Sequence, residues 1–399
     1  MKRTAFTTTI IATLVVAVSV FTWADRTRAA VDRTVSFHLD RTAKTTVPDS
    51  FAERFGESRF QQWRDKFPAL DKPPVVEASE ADFLRETDLV IGFEINGEAR
   101  AYPVLVASYH HVINDDLGGQ PLTIATCGVC SSAAGFDPRM DGRTLNFRFD
   151  GIWQGMTVMY DRETESRWHH LAGACVKGAR TGQSLRKIPC RYVHWSEWKK
   201  DYPETTVVTP QEGVPYLPEE ELIRGDGGYP RGFGQTIQDR SNLLRRYELV
   251  YGLEIDGNKW AFPFGELLRL ASFVTNQQVG DRHVVVGVNG ETGSAFGFDA
   301  TIESMRLVFH DCRGGEIFAT DGSVFNQAGV CTRGPLQGKR LKPLTGIQAE
   351  WYGWYATHPG TNVWDLTQHS RPVHKQYLPT SARQTHLQQQ VLINSSILR

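Results

Sequence analysis

The feature that most constrains this chain is a segment that occurs in it twice. Residues 90–103 read VIGFEINGEARAYP, residues 250–263 read VYGLEIDGNKWAFP, and half of the aligned positions are identical. The similarity continues to a tryptophan-rich end, where Trp195 corresponds to Trp351. Because the spacing between matching positions is nearly constant, the sequence predicts a tandem duplication in which each copy forms one structural unit.

Short strands and turns dominate the pattern within each copy. Asn96-Gly97 and Asp256-Gly257 each lie between alternating apolar residues, which is typical of a hairpin whose two-residue turn needs positive φ. Further strands are predicted at 122–126, 144–149 and 156–160, and a short amphipathic helix at 195–202. We therefore predict a mostly β fold with a minor helical part, in two tandem repeats of a compact barrel- or sandwich-like unit.

Composition and periodicity divide the chain into predicted segments. In chain order they are a signal peptide or N-terminal anchor (1–30), an N-terminal extension with a short helix between Phe51 and Phe67 (31–81), the first repeat (82–208), a linker rich in Pro and Gly (209–241), a second repeat (242–366) and a flexible tail (367–399).

The N-terminus has the pattern of a secretory signal. Met1-Lys2-Arg3 supplies positive charge, an apolar run extends from Ile10 to Phe21, and polar sequence begins at Asp25. Cleavage of this segment and its retention as an anchor both place the rest of the chain in the periplasm or outside the cell. Contact with a membrane is expected only through such an anchor. The net charge of -1 offers no basic surface for phosphates, so we expect no nucleic acid partner.

One pair of cysteines is the most distinctive chemical feature. Cys127 and Cys130 are separated by two residues, a spacing that lets both sulfurs face one point. At the corresponding positions the second copy has Asn289 and Thr292. A group that the fold needs should occur in both copies, so the cysteine pair is freer to have a chemical role.

Three interpretations of this pair remain open. With His110 as a nitrogen ligand, Cys127 and Cys130 would form a Cys₂His site for copper or zinc, with one open position that suits metal-assisted redox chemistry. His111 and His170 would be additional ligands or groups beside them, and Asp161 and Arg162 could orient a ligand. The alternatives are a thiol–disulfide oxidoreductase, in which Cys127 attacks and Cys130 resolves, and a non-catalytic envelope module with a structural disulfide. Whether the chain is an enzyme stays open.

Three motifs carry a resemblance to a known family. They are YHHVIND at 109–115, CGVC at 127–130 and YDRETESRW at 160–168. The chain resembles a family of uncharacterised, mostly exported bacterial and archaeal proteins, the domain-of-unknown-function family numbered 3179. In that comparison His111 replaces a usual Glu, His170 replaces a usual Gln and Ser131 replaces a usual Gly, whereas His110 and both cysteines are retained. The resemblance implies no established activity.

Overall fold

A computed structural model describes residues 60–214, 216, 233–237 and 241–369. Short strands predominate throughout these residues, which confirms the predicted mostly β fold. We refer to residues 60–214 as the N-terminal half and to residues 241–369 as the C-terminal half.

The strands of the N-terminal half are β1 (Phe60–Gln62), β2 (Leu70–Asp71), β3 (Val75–Glu77), β4 (Leu89–Ile95), β5 (Glu98–Pro103), β6 (Val112–Leu117), β7 (Gln120–Cys127), β8 (Ser132–Asp137), β9 (Arg139–Met140), β10 (Arg143–Thr144), β11 (Phe147–Trp153), β12 (Met156–Asp161), β13 (Arg167–His169), β14 (Cys175–Lys177), β15 (Arg186–Ile188), β16 (Arg191–His194) and β17 (Thr206–Val208).

The strands of the C-terminal half are β18 (Leu249–Ile255), β19 (Asn258–Pro263), β20 (Val274–Val279), β21 (Arg282–Val288), β22 (Ala295–Asp299), β23 (Thr301–Ile302), β24 (Met305–Arg306), β25 (Phe309–Arg313), β26 (Glu316–Ala319), β27 (Val324–Asn326), β28 (Cys331–Arg333), β29 (Lys342–Pro343), β30 (Ile347–Glu350) and β31 (Asn362–Val363). The helices are α1 (Val104–His110), α2 (Trp195–Asp201), α3 (Phe233–Thr236), α4 (Phe264–Leu267), α5 (Trp351–Thr357) and α6 (Leu366–His369), with one 3₁₀ turn at Ala78–Glu80.

The two halves have corresponding sheets. In the N-terminal half the strand orders are β16-β4-β5-β17-β3, β15-β8-β7-β6-β2 and β1-β11-β12-β13-β14. In the C-terminal half they are β30-β18-β19-β31, β29-β22-β21-β20 and β25-β26-β27-β28. Every sheet in the described residues is open, so the barrel form of the predicted unit is not found there. That the two halves arose by tandem duplication stays a prediction from the sequence.

The local predictions for turns and helix agree with the structure. Asn96 and Gly97 have φ values of 52° and 88°, and Asp256 and Gly257 have values of 49° and 78°. These pairs form the predicted tight hairpins, β4–β5 and β18–β19. Helix α2 covers most of the amphipathic segment predicted at 195–202.

A tryptophan packs directly on a glycine of the first hairpin in each half. A Cβ atom added to Gly92 would lie 2.2 Å from Cε3 of Trp198. The same distance separates a Cβ at Gly252 from Cε3 of Trp354. The glycine therefore permits the close approach of the indole to the sheet, and each hairpin is packed against a helix near the end of its half.

Parts of the predicted extension and linker belong to the core. Residues 60–62 form β1, which pairs with β11, so the helix predicted from Phe51 to Phe67 is wrong over the described part of that range. In the predicted linker, Thr236 Oγ1 accepts a hydrogen bond from Gly155 N at 2.9 Å, and Ile237 is buried. These contacts make the described part of the linker a packing element.

Several other predictions fall on residues outside the described ranges. The signal or anchor at 1–30 and the tail beyond residue 369 lie there. Among the described helices, none has the length and apolar character needed to cross a membrane.

Gly92→Ala should lower the free energy of unfolding by about 1–3 kcal/mol, because the added methyl group overlaps the Trp198 ring. Gly265→Ala is the matched control, since its Cβ would meet only Glu248 Oε1 at 3.8 Å. That variant should stay within about 0.5 kcal/mol of the wild type. Urea unfolding measures both, and equal losses in the two variants would contradict the packing role of Gly92.

Candidate metal centre

The cysteine pair lies on a tight β-hairpin. Cys127 is the last residue of β7 and pairs with Ser132, the first residue of β8. Within the four-residue loop, Ser131 N donates a hydrogen bond to Gly128 O at 3.2 Å. Ser131 has a φ of 49°, the left-handed region that glycine enters without strain. The usual glycine implied at this position by the family resemblance therefore has a conformational reason.

This hairpin brings two sulfurs to a histidine from another sheet. The Sγ atoms of Cys127 and Cys130 and a ring nitrogen of His170 all lie within 4.8 Å of one another. No other such group of three potential metal ligands occurs in the described part of the chain. Cys127 is 3% exposed, and Cys130 and His170 are completely buried. The three donors thus form a buried cluster.

A backbone carbonyl determines which nitrogen of His170 faces the sulfurs. Nδ1 of His170 lies 3.0 Å from Thr157 O, and because a carbonyl only accepts, Nδ1 carries the proton. Nε2 therefore presents its lone pair, 3.9 Å from Cys130 Sγ and 2.9 Å from Ser132 Oγ. Burial lowers the pKa of His170 to about 3, so the ring is neutral at physiological pH. Metal-ligating histidines commonly have this arrangement, with the second nitrogen donating to a carbonyl.

The dimensions of the cluster fit a tetrahedral metal ion. Bonds near 2.3 Å to sulfur and 2.0–2.1 Å to nitrogen place the two donors about 3.6 Å apart. The observed 3.9 Å between Cys130 Sγ and His170 Nε2 needs only a small contraction. Ser132 Oγ lies 2.9 Å from both His170 Nε2 and Cys130 Sγ and donates its one proton to Nε2. If a metal ion took the Nε2 lone pair, the same hydroxyl could donate to a thiolate at Cys130.

The surroundings shift the pKa values of the two thiols in opposite directions. Burial raises the pKa of Cys130 well above its usual value, and the neighbouring Cys127 and Glu350 raise it further. For Cys127, burial opposes ionisation, but hydrogen bonds from Cys130 and Thr157 outweigh it and lower the pKa. The surroundings therefore favour ionisation of Cys127 over ionisation of Cys130.

His110 lies outside the cluster, contrary to the sequence prediction. Its Nδ1 donates to Pro68 O at 2.7 Å, and Tyr216 Oη donates to its Nε2 at 2.8 Å. Both ring nitrogens are thus occupied by protein groups. The structure brings His170 to the sulfurs in its place.

The remaining predicted site residues have structural contacts. His111 has a φ of 63° and stacks on Phe67 with ring centroids 4.5 Å apart. Asp161 accepts hydrogen bonds from the Thr164 hydroxyl at 2.7 Å and from Trp168 Nε1 at 2.8 Å, which stabilises the turn after β12. Arg162 is exposed, and its backbone N–H donates to Asn146 O. None of these three belongs to the cluster.

Sequence reasoning missed the contribution of Ser132 and of the C-terminal half. Glu350 N donates to Cys130 O at 3.2 Å, and Gln348 Nε2 donates to Ser131 O at 3.4 Å. Tyr352 Oη donates to Gly155 O at 3.3 Å, and the same carbonyl lies 3.9 Å from Cys127 Sγ. Strand β30 and helix α5 thus cover the cysteine hairpin.

The corresponding loop of the C-terminal half has a different chemistry. Asn289 Nδ2 donates to Glu197 Oε1 at 2.6 Å, and Ser294 Oγ donates to Glu197 Oε2 at 2.5 Å. A carboxylate from α2 therefore occupies the position next to this loop and satisfies its donors. The loop has a structural role that needs no cation.

The chain is thus a β-rich protein with a buried cluster of two cysteines and one histidine. A family model described as "Protein of unknown function (DUF3179)" matches residues 64–361, and the chain belongs to that family. The family suspected from the three sequence motifs is thereby confirmed. Comparison with curated proteins finds no match, and comparison with solved structures finds none either.

Thiol reactivity provides a test of the burial of the cluster. All six cysteines are free thiols, and Cys190 is the only one of them that is not buried. In native Cys190→Ser protein, we expect every remaining thiol to react with Ellman's reagent at least about 100-fold more slowly than in urea, because thiolate exposure limits the reaction. Two thiols that react rapidly in the native variant would instead favour the thiol–disulfide interpretation.

Proposed function

We propose that this chain binds one zinc or copper ion through Cys127, Cys130 and His170. The observation that carries the proposal is the convergence of two sulfurs and an unprotonated Nε2 within 4.8 Å, with the imidazole oriented by Thr157 O. The oriented histidine matters most, because two nearby cysteines alone also suit a disulfide. His170 takes the place that the sequence assigned to His110.

The donor set and its burial support a thiophilic metal. Thiolate and imidazole together favour zinc and copper over the harder cations magnesium and calcium. Two thiolates contribute two negative charges, which a divalent ion neutralises completely. A monovalent ion bound to two thiolates would leave a net charge in a buried site close to Glu350, at a cost in free energy. Charge balance therefore favours a divalent ion when both cysteines are ionised.

A bound ion would also cross-link two parts of the fold, because its ligands come from different sheets. It would join the β7–β8 hairpin to the residue that follows β13, beneath the cover formed by β30. Three protein ligands leave one coordination position open, as in catalytic rather than structural zinc sites. Ser132 Oγ, 2.9 Å from Cys130 Sγ, could hydrogen-bond to a metal-bound thiolate there.

The proposed location is outside the cytoplasm. The support is the charged and then apolar N-terminal pattern from Met1 to Phe21. In such a compartment free thiols are oxidised unless they are buried or bound to metal, and Cys127 and Cys130 are buried. Fractionation of cells that express the full chain tests this location, and recovery with the cytoplasmic fraction would contradict it.

Elemental analysis after loading with zinc or copper tests the metal site. The wild type should hold about one ion per chain, whereas Cys127→Ser, Cys130→Ser and His170→Ala should lose most of it, because each removes a ligand. His110→Ala is the matched control and should retain the ion, since His110 lies outside the cluster of three donors.

The same experiment separates this proposal from its rivals. Loss of the ion in His110→Ala together with its retention in His170→Ala would contradict the assignment of His170. A wild type that stays metal-free, with Cys127 and Cys130 cycling between thiols and a disulfide, would establish the oxidoreductase instead. If copper is the bound ion, electron paramagnetic resonance during reduction and reoxidation tests whether the site also performs redox chemistry.

A further inference from the structure

Two adjoining cavities lie between the halves. The outer cavity has a volume of about 90 Å³ and is lined by Trp198 and Tyr202 from one half and by Phe296 from the other. The inner cavity has a volume of about 10 Å³. Cys190, Tyr251 and Ala295 line both, so the two cavities meet at these three residues.

The inner cavity ends beside the cysteine hairpin. Gln348 lines it, and Nε2 of the same side chain donates to Ser131 O, next to Cys130. Tyr192 also lines it, and burial together with the nearby Cys130 and Cys127 raises the pKa of that hydroxyl. The end of the cavity is therefore within electrostatic reach of the two sulfurs.

Gln348 gives this cavity an unused acceptor. The residue is 5% exposed, and its Oε1 has no hydrogen-bond partner among the described residues. A buried polar atom without a partner costs about 1–3 kcal/mol. The inner cavity is just large enough for one water molecule or one ion that has lost its hydration shell. Such an occupant would satisfy Oε1.

A thiol, which is a soft metal ligand, lies where the two cavities meet. Cys190 is partly exposed, unlike the five other cysteines, and it is a free thiol. It contributes to both cavities, with the outer mouth on one side and Gln348 on the other. A metal ion that moves from the outer cavity to the inner one passes this sulfur.

The charged residues that line the outer cavity do not repel a cation. Arg340 forms an ion pair with Glu94 at 2.8 Å, and Arg191 forms one with Asp201 at 2.7 Å. Each guanidinium that lines the outer cavity is thus neutralised by a carboxylate. The passage offers aromatic faces, one thiol and one amide oxygen to an entering ion.

We propose that the cleft between the halves is the entry route for the metal ion, with Cys190 as a transient ligand on it. This inference rests on the proposed function. The Cys190 thiol loses its proton to water as its sulfur binds the ion. When the ion moves to Cys127 and Cys130, these two thiols lose their protons, of which one returns to Cys190 and the other goes to water. The step therefore involves no oxidation or reduction. Gln348 Oε1 is the polar contact between the two positions.

Stopped-flow mixing of the reduced, metal-free full chain with Zn²⁺ and a chromophoric zinc indicator tests this route. Cys190→Ser should load about ten-fold more slowly than the wild type and reach the same final stoichiometry, because only the transient ligand is lost. Cys312→Ser is the matched control, since that buried thiol lines neither cavity. It should load at the wild-type rate.

A second variant tests the route independently of the fold of Cys190→Ser. Ala295→Leu narrows the passage where the cavities meet without removing a thiol, and it should also slow loading at unchanged stoichiometry. Wild-type loading rates in both Cys190→Ser and Ala295→Leu would overturn the route and leave the metal site intact. Absence of zinc from the wild type at equilibrium would overturn the metal site, and the route with it.

Discussion

The contact between strand β30 and the cysteine hairpin is the interaction on which the candidate site depends. Glu350 N donates to Cys130 O, and Gln348 Nε2 donates to Ser131 O. A four-residue hairpin loop by itself would leave its sulfurs in water, so their burial is due to the cover from the C-terminal half. Exclusion of water strengthens the electrostatic attraction between a thiolate and a cation. The C-terminal half thus contributes none of the three donors, yet it helps to bury them.

The two halves contact each other through two equivalent pairs of strands, and in each pair a late strand of one half packs on a strand of the other. Strand β30 packs on β8, and strand β16 packs on β22. In helix α2, which follows β16, Glu197 binds the loop of the C-terminal half through Asn289 and Ser294. In that loop a carboxylate accepts hydrogen bonds from two neutral donors, so these polar groups are satisfied within the protein. In the cysteine loop the corresponding groups are sulfurs and an imidazole lone pair, which the proposed cation would satisfy.

Local signals in the sequence predicted the local structure well. The Asn96-Gly97 and Asp256-Gly257 turns, the strands and helix α2 depend on short-range backbone preferences. The nitrogen ligand depends on tertiary structure. His169 pairs with Val158 across β12 and β13, and this register places the next residue, His170, beside the cysteine hairpin. His110 is nearer to Cys127 in sequence, but it ends helix α1 and its nitrogens face Pro68 and Tyr216.

Two departures from the family pattern fall inside this site, and they have linked consequences. His170 stands where the family resemblance implies Gln, and only an imidazole gives the cluster a nitrogen ligand for zinc or copper. Ser131 stands where it implies Gly, and its φ of 49° costs a non-glycine residue about 1–2 kcal/mol. That strain persists because Gln348 binds Ser131 O and Glu350 binds Cys130 O. A bound ion would add a third restraint on the same loop. The serine is therefore tolerated through the hydrogen bonds from β30. Under the proposed function its strain would also couple the geometry of the loop to metal occupancy.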